Sequence, residues 1–209
     1  MTTALGAAAQ ESHDGGADSA AFRARLLDGM AASIGERGYR DTTVADIVRH
    51  ARTSKRTFYG EFASKEECFL ELLRANTEEL IASIRAAIDP ESHWQEQIRV
   101  AVDAYVGHID SRPALTLSWI REAPGLGRAA LALHRLAMEL LTDMLVDLSD
   151  SPGFRRAQLP PISRPLALIL LGGLRELTAL FVEDGRDVRG IIGPAVAAST
   201  AILGPSAQH

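Results

Sequence analysis

From Ala20 to Arg37 the large apolar residues Phe22, Leu26, Met30 and Ile34 recur every four positions, and Leu27 and Ala31 widen the stripe. That period predicts an amphipathic helix, and Gly38 follows where a helix end favours a left-handed residue. Val44, Ile47, Val48 and Ala51 then repeat at i, i+3, i+4 and i+7, which predicts a second, short helix. Thr43 is placed to cap it, and Asp46 to favour its positive end. A turn at Arg52-Thr53 leads to a third helix over about 54–62, with Phe58 and Phe62 four apart on one face. Ser64-Lys65-Glu66-Glu67 matches the S-x-x-E capping box and opens a long helix to about Ile88, stopped by Asp89-Pro90. Further helices are predicted at about 92–110, 113–122, 125–148, 162–184 and 188–203. Arg112-Pro113, Ala123-Pro124-Gly125, the loop SDSPGFRRAQLPP and Asp184-Gly185 separate them. No segment alternates with period two for long enough to form a strand, so the expected fold is all-α with about nine helices.

Composition divides this run of helices. Residues 1–18 are rich in Ala, Gly, Thr, Ser and Asp and offer little beyond Leu5 to bury, which predicts a disordered tail. Residues 19–64 are expected to form one three-helix domain and residues 65–205 a larger helical one. With 209 residues, 46% hydrophobic and 23% charged, the chain has enough apolar material for a real core. Its one cysteine, Cys68, excludes an internal disulfide and fits a reducing compartment. No charged-then-apolar leader pattern opens the chain, and no charge-free apolar run approaches a membrane span. The expected location is the cytoplasm.

Charge changes the picture more. The chain carries a formal net charge of −5, yet Arg49, Arg52, Lys55, Arg56 and Lys65 face only Glu61 within one short window. This asymmetry predicts a small surface for a polyanion on an acidic body. Two short helices joined by a tight turn, with a striped helix before them, describe a helix-turn-helix unit. With Phe58 and Phe62 turned to the core, Lys55, Arg56, Thr57 and Tyr59 face outward or flank the outward side. A guanidinium, an ammonium, a hydroxyl and a phenol suit phosphate oxygens and base edges. Helix N-termini, with Thr43 and Lys65 nearby, add phosphate donors.

The pieces TTVADI, SKRTFY, the following Phe62 and SKEECF resemble, in residue type and spacing, the DNA-binding domain of the TetR family of transcriptional regulators over about residues 20–75. The resemblance implies a DNA-contacting set of Thr43, Ser54, Lys55, Arg56, Thr57, Tyr59 and Lys65. Thr43, Tyr59 and Lys65 would hold phosphates, and Lys55, Arg56 and Thr57 would lie at or near the bases. The chain departs from the common pattern at Arg52, often Gly, where a positive φ would be strained. It also departs at Thr53, Gly60 and Glu61; Glu61 would repel phosphate, so it and Gly60 are left out of the set.

The same resemblance implies that the larger domain senses a ligand and dimerises through its last two long helices. The segment PLALILLGGLRELTALF is apolar around much of its circumference, and IIGPAVAASTAIL adds small residues. Leu170, Gly173, Leu174, Leu177, Val196 and Ser199 are the expected dimer residues, with Gly172-Gly173 allowing a tight helix crossing. Tyr105, His108, Trp119, Glu122, His134 and Met138 are the candidate ligand contacts, for a small and mostly apolar effector. Cys68 lies near a helix start, where a lowered pKa would make it reactive, but it adjoins Phe69 in an apolar pattern that fits a buried, inert thiol. No His, Cys and carboxylate set has metal-ligand spacing, so neither a metal nor a cofactor is expected.

These observations point to a regulator that binds a palindromic operator as a homodimer and is released by its effector. It would be a repressor before an activator, and not an enzyme. A competing account makes the chain an all-α carrier or enzyme with an incidental basic helix pair, although no nucleophile–base set can be assembled from its motifs. An architectural DNA binder without an effector would not need the long apolar second domain.

Overall fold

The computed structural model describes residues 7–204, with side chains described from Ala20 to Gly204. Packing divides the chain into two compact units, with the break between Leu72 and Leu73. Composition had put the boundary at residue 64, but the first two turns of the fourth helix pack with the N-terminal unit.

The first unit holds α1 (Ala7–Asp41), α2 (Val44–His50), α3 (Lys55–Glu61) and the start of α4 (Lys65–Ala87). α1 reaches back to Ala7, into the stretch that composition assigned to a tail. Ala7-Ala8-Ala9 is strongly helix-favouring, a local signal that a count of large apolar side chains overlooks. The remainder of the expected tail, residues 1–6, lies outside the described residues. Gly38, at φ 76° and ψ 166°, breaks α1 where a left-handed residue was expected. Leu26, Met30, Ile34, Ile47 and Phe58 are fully buried, and Phe62 is nearly so, so the predicted stripes of α1, α2 and α3 meet in one core. α1 and α2 cross closely at Gly29, where an added Cβ would stand 2.6 Å from the Ile47 carbonyl oxygen.

The turn between α2 and α3 is set by backbone bonds. Thr53 N–H donates to the Val48 carbonyl at 3.0 Å and Arg52 N–H to the Arg49 carbonyl at 3.3 Å. This is the Schellman pairing, which requires its central residue in the left-handed region. Arg52 occupies that position with φ 50°, as the sequence anticipated.

The second unit continues with the rest of α4, α5 (Trp94–Ser111), α6 (Pro113–Arg121), α7 (Arg128–Ser149), α8 (Pro152–Arg156), α9 (Arg164–Glu183) and α10 (Ile192–Leu203). Short 3₁₀ turns lie at Ala123–Leu126 and Val188–Ile191. The described residues contain no strand and ten α-helices. The additional helix is α8, inside the loop read as a separator; its five residues are too short to show a period. It is anchored by tertiary contacts instead. Gly153 N–H donates to the Pro90 carbonyl at 3.0 Å, and a Cβ on Gly153 would stand 2.0 Å from the Ser92 oxygen. The buried Gln97 amide donates to the Pro90 and Ser92 carbonyls and accepts from Ser151 Oγ at 2.8 Å. Trp94, Ile98, Val102, Val106, Phe154, Phe181 and Ile191 form the main core of this unit, and Ile84, Ile88 and Met144 a second cluster.

Candidate functional site

The basic window is organised by two caps. At α2, Asp46 N–H donates to Thr43 Oγ1 at 3.3 Å, while the Asp46 carboxylate accepts from Thr43 N–H at 3.1 Å and from its hydroxyl at 2.6 Å. This reciprocal box holds the Asp46 carboxyl below its ordinary range, chiefly through the Thr43 hydroxyl and then the Thr43 backbone. At α3, Ser54 Oγ accepts from Thr57 N–H at 3.1 Å and lies 3.0 Å from Thr57 Oγ1. Ser54, Thr57 and the Thr43 hydroxyl therefore shape the two helix starts that the basic side chains flank.

Phe58 is fully buried, which fixes the rotation of α3. Lys55 and Arg56 are exposed, and neither has a hydrogen-bond or ion-pair partner among the described residues. Tyr59 is 59% exposed, its ring edge-on to Phe58 at 5.3 Å. These three side chains present an ammonium, a guanidinium and a phenol to solvent from one turn of helix.

The remaining charges are sorted by their partners. Arg49 lies 3.2 Å from Glu36 and 3.6 Å from Asp46, so it is tied to α1 and its own helix. The Glu61 carboxylate lies 4.0 Å from Arg23, whose guanidinium donates to the Glu61 carbonyl at 3.1 Å and sits 4.3 Å from the Phe62 ring centroid. That pairing turns Glu61 toward α1, consistent with its exclusion from the contact set. Lys65 Nζ donates to the carbonyls of Tyr39, Arg40 and Thr42 at 3.1, 3.4 and 2.9 Å. An ammonium has three donors, so Lys65 in this arrangement closes the end of α1 and offers no free proton to a phosphate.

Cys68 is buried, and burial pushes its thiol up to about 12. It stays protonated at neutral pH and is a poor nucleophile. Among the described residues, no group of three or more His, Cys, Asp or Glu could hold a metal ion.

The second unit contains an apolar cavity of about 80 Å³. Ile84 of α4 and Ile88 just beyond its end, Ala101 and Tyr105 of α5, Met144 and Leu145 of α7, and Leu170, Leu171 and Leu174 of α9 line it, with Phe154 and Leu203 closing the wall. Of the six expected ligand contacts, only Tyr105 lies on this cavity. Its hydroxyl is 2.9 Å from Thr178 Oγ1. His108 instead packs toward α4, its Nε2 3.1 Å from Asn76 Oδ1. His134 and Met138 line a shallow open cleft beside Arg164 and Leu168, and Trp119 meets the His134 ring at 6.1 Å. Glu122 caps α6 and holds one buried carboxylate oxygen with no partner among the described residues. The cavity is walled by aliphatic side chains that a search for large or polar residues passes over.

The expected dimer residues are also redistributed. Leu170 and Ser199 are buried and line the cavity, and Leu174, Leu177 and Val196 pack on the main core. Gly173 alone of the six is exposed. Neither Gly172 nor Gly173 has any atom within 4 Å of an added Cβ, so no tight crossing inside the chain explains them. The outward face of α9 carries Leu166, Leu168, Ile169 and Leu180, 44%, 51%, 64% and 46% exposed. Gly193, Pro194, Ala197, Ala198 and Ala201 are the exposed positions of α10. α9 is, among the described residues, the one helix long and apolar enough by composition to cross a membrane.

A capped helix pair with an outward cationic helix, in a unit built on buried Phe58 and Phe62, has the geometry of a helix-turn-helix unit. Residues 26–72 match the model of the bacterial regulatory proteins of the tetR family. Over these residues the chain is similar to the DNA-binding domain of that family. It is 40% identical over 77 residues to the HTH-type transcriptional repressor KstR2 of Mycobacterium tuberculosis, a match covering 37% of this chain and 38% of that protein. The chain thus spans well under half the length of the curated relatives it matches. In fold it is similar to the fatty acid degradation regulator FadR of Bacillus halodurans, with TM-score 0.70 and 18% identity over 90% of this chain and 97% of that one. It is similar also to FadR of Bacillus subtilis, solved in complex with stearoyl-CoA, with TM-score 0.66 and 16% identity over 88% and 98% of the two chains.

Proposed function

We propose that this chain is a ligand-responsive transcriptional regulator, a repressor that binds a palindromic operator as a homodimer in the cytoplasm and is released by a small, mostly apolar effector. The observation that carries the DNA-binding part is the outward trio Lys55, Arg56 and Tyr59 on a helix whose rotation Phe58 locks. Ser54 caps its start by accepting from the Thr57 N–H, and Thr43 caps the start of α2 in the same way. Lys55, Arg56 and Thr57 read bases, and Thr43 and Tyr59 hold phosphates. The family is one of regulators and not of enzymes, which disfavours the carrier or enzyme account.

Pairing with a second copy is supported by the outward face of α9. Leu166, Ile169, Gly173 and Leu180 share an exposed, largely apolar face of α9, interrupted by Glu176 with its Arg121 partner and joined by the exposed small residues of α10. Contiguous exposed apolar surface of this kind marks an interaction site, and a dimer places two recognition helices on successive half-sites. The effector is supported by the apolar cavity. Release requires the effector to bind the DNA-free state more tightly, a coupling of about 1–3 kcal/mol in typical systems.

Selection of bound sites from sheared genomic DNA tests this, with affinity measured for the winner at several salt concentrations. A palindromic site bound by two chains, with a steep salt slope, is the expected result. A folded protein with no preferred site would move the carrier or enzyme account to the front.

A further inference from the structure

We propose that Arg175 is an anion-receiving subsite for the effector, taking the carboxylate head of an amphipathic molecule whose apolar body fills the cavity; this rests on the effector reading above. Arg175 and Glu176 are the only charges between the two ends of α9, and they are treated differently by the fold. Glu176 turns outward to Arg121, which it engages at 2.8 and 2.9 Å, and Arg121 also pairs with Glu183 at 2.6 Å. Arg175 is half-buried, and no carboxylate among the described residues pairs with it. One terminal nitrogen donates to the Ile120 carbonyl at 2.9 Å, and its Nε is buried without a partner.

A guanidinium carries five donors and cannot shed its charge at neutral pH. Burying it without an anion is unfavourable unless one arrives. Desolvation, then the neighbouring Arg121, pushes its pKa down, the direction expected of a cation lacking a counter-ion. Arg175 follows directly on Leu174 in α9. Leu171 and Leu174, on the same helix, line the cavity. The charge of Arg175 is felt at Tyr105, whose ring lines the cavity and whose hydroxyl is held by Thr178. It is felt also at His134. A carboxylate accepts two parallel N–H bonds from a guanidinium, which answers the orphan Nε, while the apolar wall takes the rest of the molecule.

The test is calorimetric titration of the full chain with decanoate and with 1-decanol, which share an apolar chain and differ in head group. Decanoate is expected to bind at least about tenfold more tightly than decanol, as a charge-assisted bidentate pair implies. Arg175→Gln should weaken decanoate to within about twofold of decanol while decanol binding holds, which also shows that the cavity is intact. Arg175→Lys, which keeps the charge but not the fork, should retain part of the preference. Equal binding of the two probes by the unaltered chain, a preference that survives Arg175→Gln, or no binding of either overturns the proposal. Operator binding measured without any added probe tests the regulator reading separately, so the two failures are distinguishable.

Discussion

The ammonium of Lys65 lies 4.4 Å from the Tyr39 ring centroid and donates to the Tyr39 carbonyl at 3.1 Å, joining the start of α4 to the end of α1. Phe69 stacks on the other partner of that pair, its ring 4.0 Å from Tyr39. Lys65 therefore belongs to the construction of the DNA-binding unit. Lys65→Ala is expected to destabilise that unit by about 1–3 kcal/mol, the range for hydrogen bonds from a charged donor. The surviving folded protein should keep its salt slope for operator binding. A thermal melt and a salt titration check both, and a slope reduced by one would restore a phosphate contact to Lys65.

Lys55→Ala should weaken operator binding by about 1–3 kcal/mol and relax preference at particular base positions. Tyr59→Phe removes only the hydroxyl and should weaken all sequences alike. Binding to a panel of single-base operator variants separates the two. Selective loss at one base position in Tyr59→Phe would count against its phosphate role.

Arg52 sits at φ 50° in the turn between α2 and α3. Glycine adopts that region freely, whereas a side chain costs about 1–2 kcal/mol there. Arg52→Gly is expected to raise the melting temperature of the N-terminal unit, offset in part by the larger entropy of the unfolded glycine chain. Arg52→Ala, which keeps the strain, is the control and should not gain.

Ile169→Glu places a charge in the outward stripe of α9 without touching the core. Sedimentation is expected to show a monomer with unchanged helicity, and lost operator binding should accompany it. Leu170→Glu, one position along, should instead unfold the second unit, since Leu170 is buried. An unchanged dimer in Ile169→Glu would mean that this face serves another surface, a membrane included.

His108 and His134 are both pushed below the ordinary histidine range, chiefly by burial. A depressed histidine binds fewer protons folded than unfolded, so stability rises with pH through this window. The second unit should therefore lose stability as pH falls below about 6.5, the ordinary histidine value, until the folded values are reached. Melting at pH 7.5 and pH 5.5 checks the direction. The His108→Gln, His134→Gln double variant should show a shallower dependence.

The periodic stripes of α1 and α2, the Thr43 and Ser64 caps, the Gly38 break and the Arg52 turn were all legible along the chain. Each depends on residues within a few positions of one another, where helix geometry alone sets the neighbours. The outward face of α3 was legible for the same reason, because burying Phe58 determines where Lys55, Arg56 and Tyr59 point. Which of the basic groups are engaged was not legible. Glu36, Tyr39 and Arg23 of α1, which engage Arg49, Lys65 and Glu61, lie 13 to 38 residues away in sequence.

The second unit shows the opposite balance. The apolar run of α9 announces two buried or covered faces, but its period does not say which face meets the chain's own core and which is left outside. Packing against α6, α7, α10 and the 3₁₀ turn at Val188–Ile191 decides that, turning Leu170, Leu174 and Leu177 inward and leaving Ile169 and Leu180 outside. The same packing makes the cavity from aliphatic residues of five helices and leaves the Arg175 guanidinium half-buried, with no carboxylate partner among the described residues. Sequence by itself determined the helices and the reading head, because both are local. Only the tertiary structure decided the cavity, the outward stripe and the unpaired cation, because each is a property of surfaces brought together from distant parts of the chain.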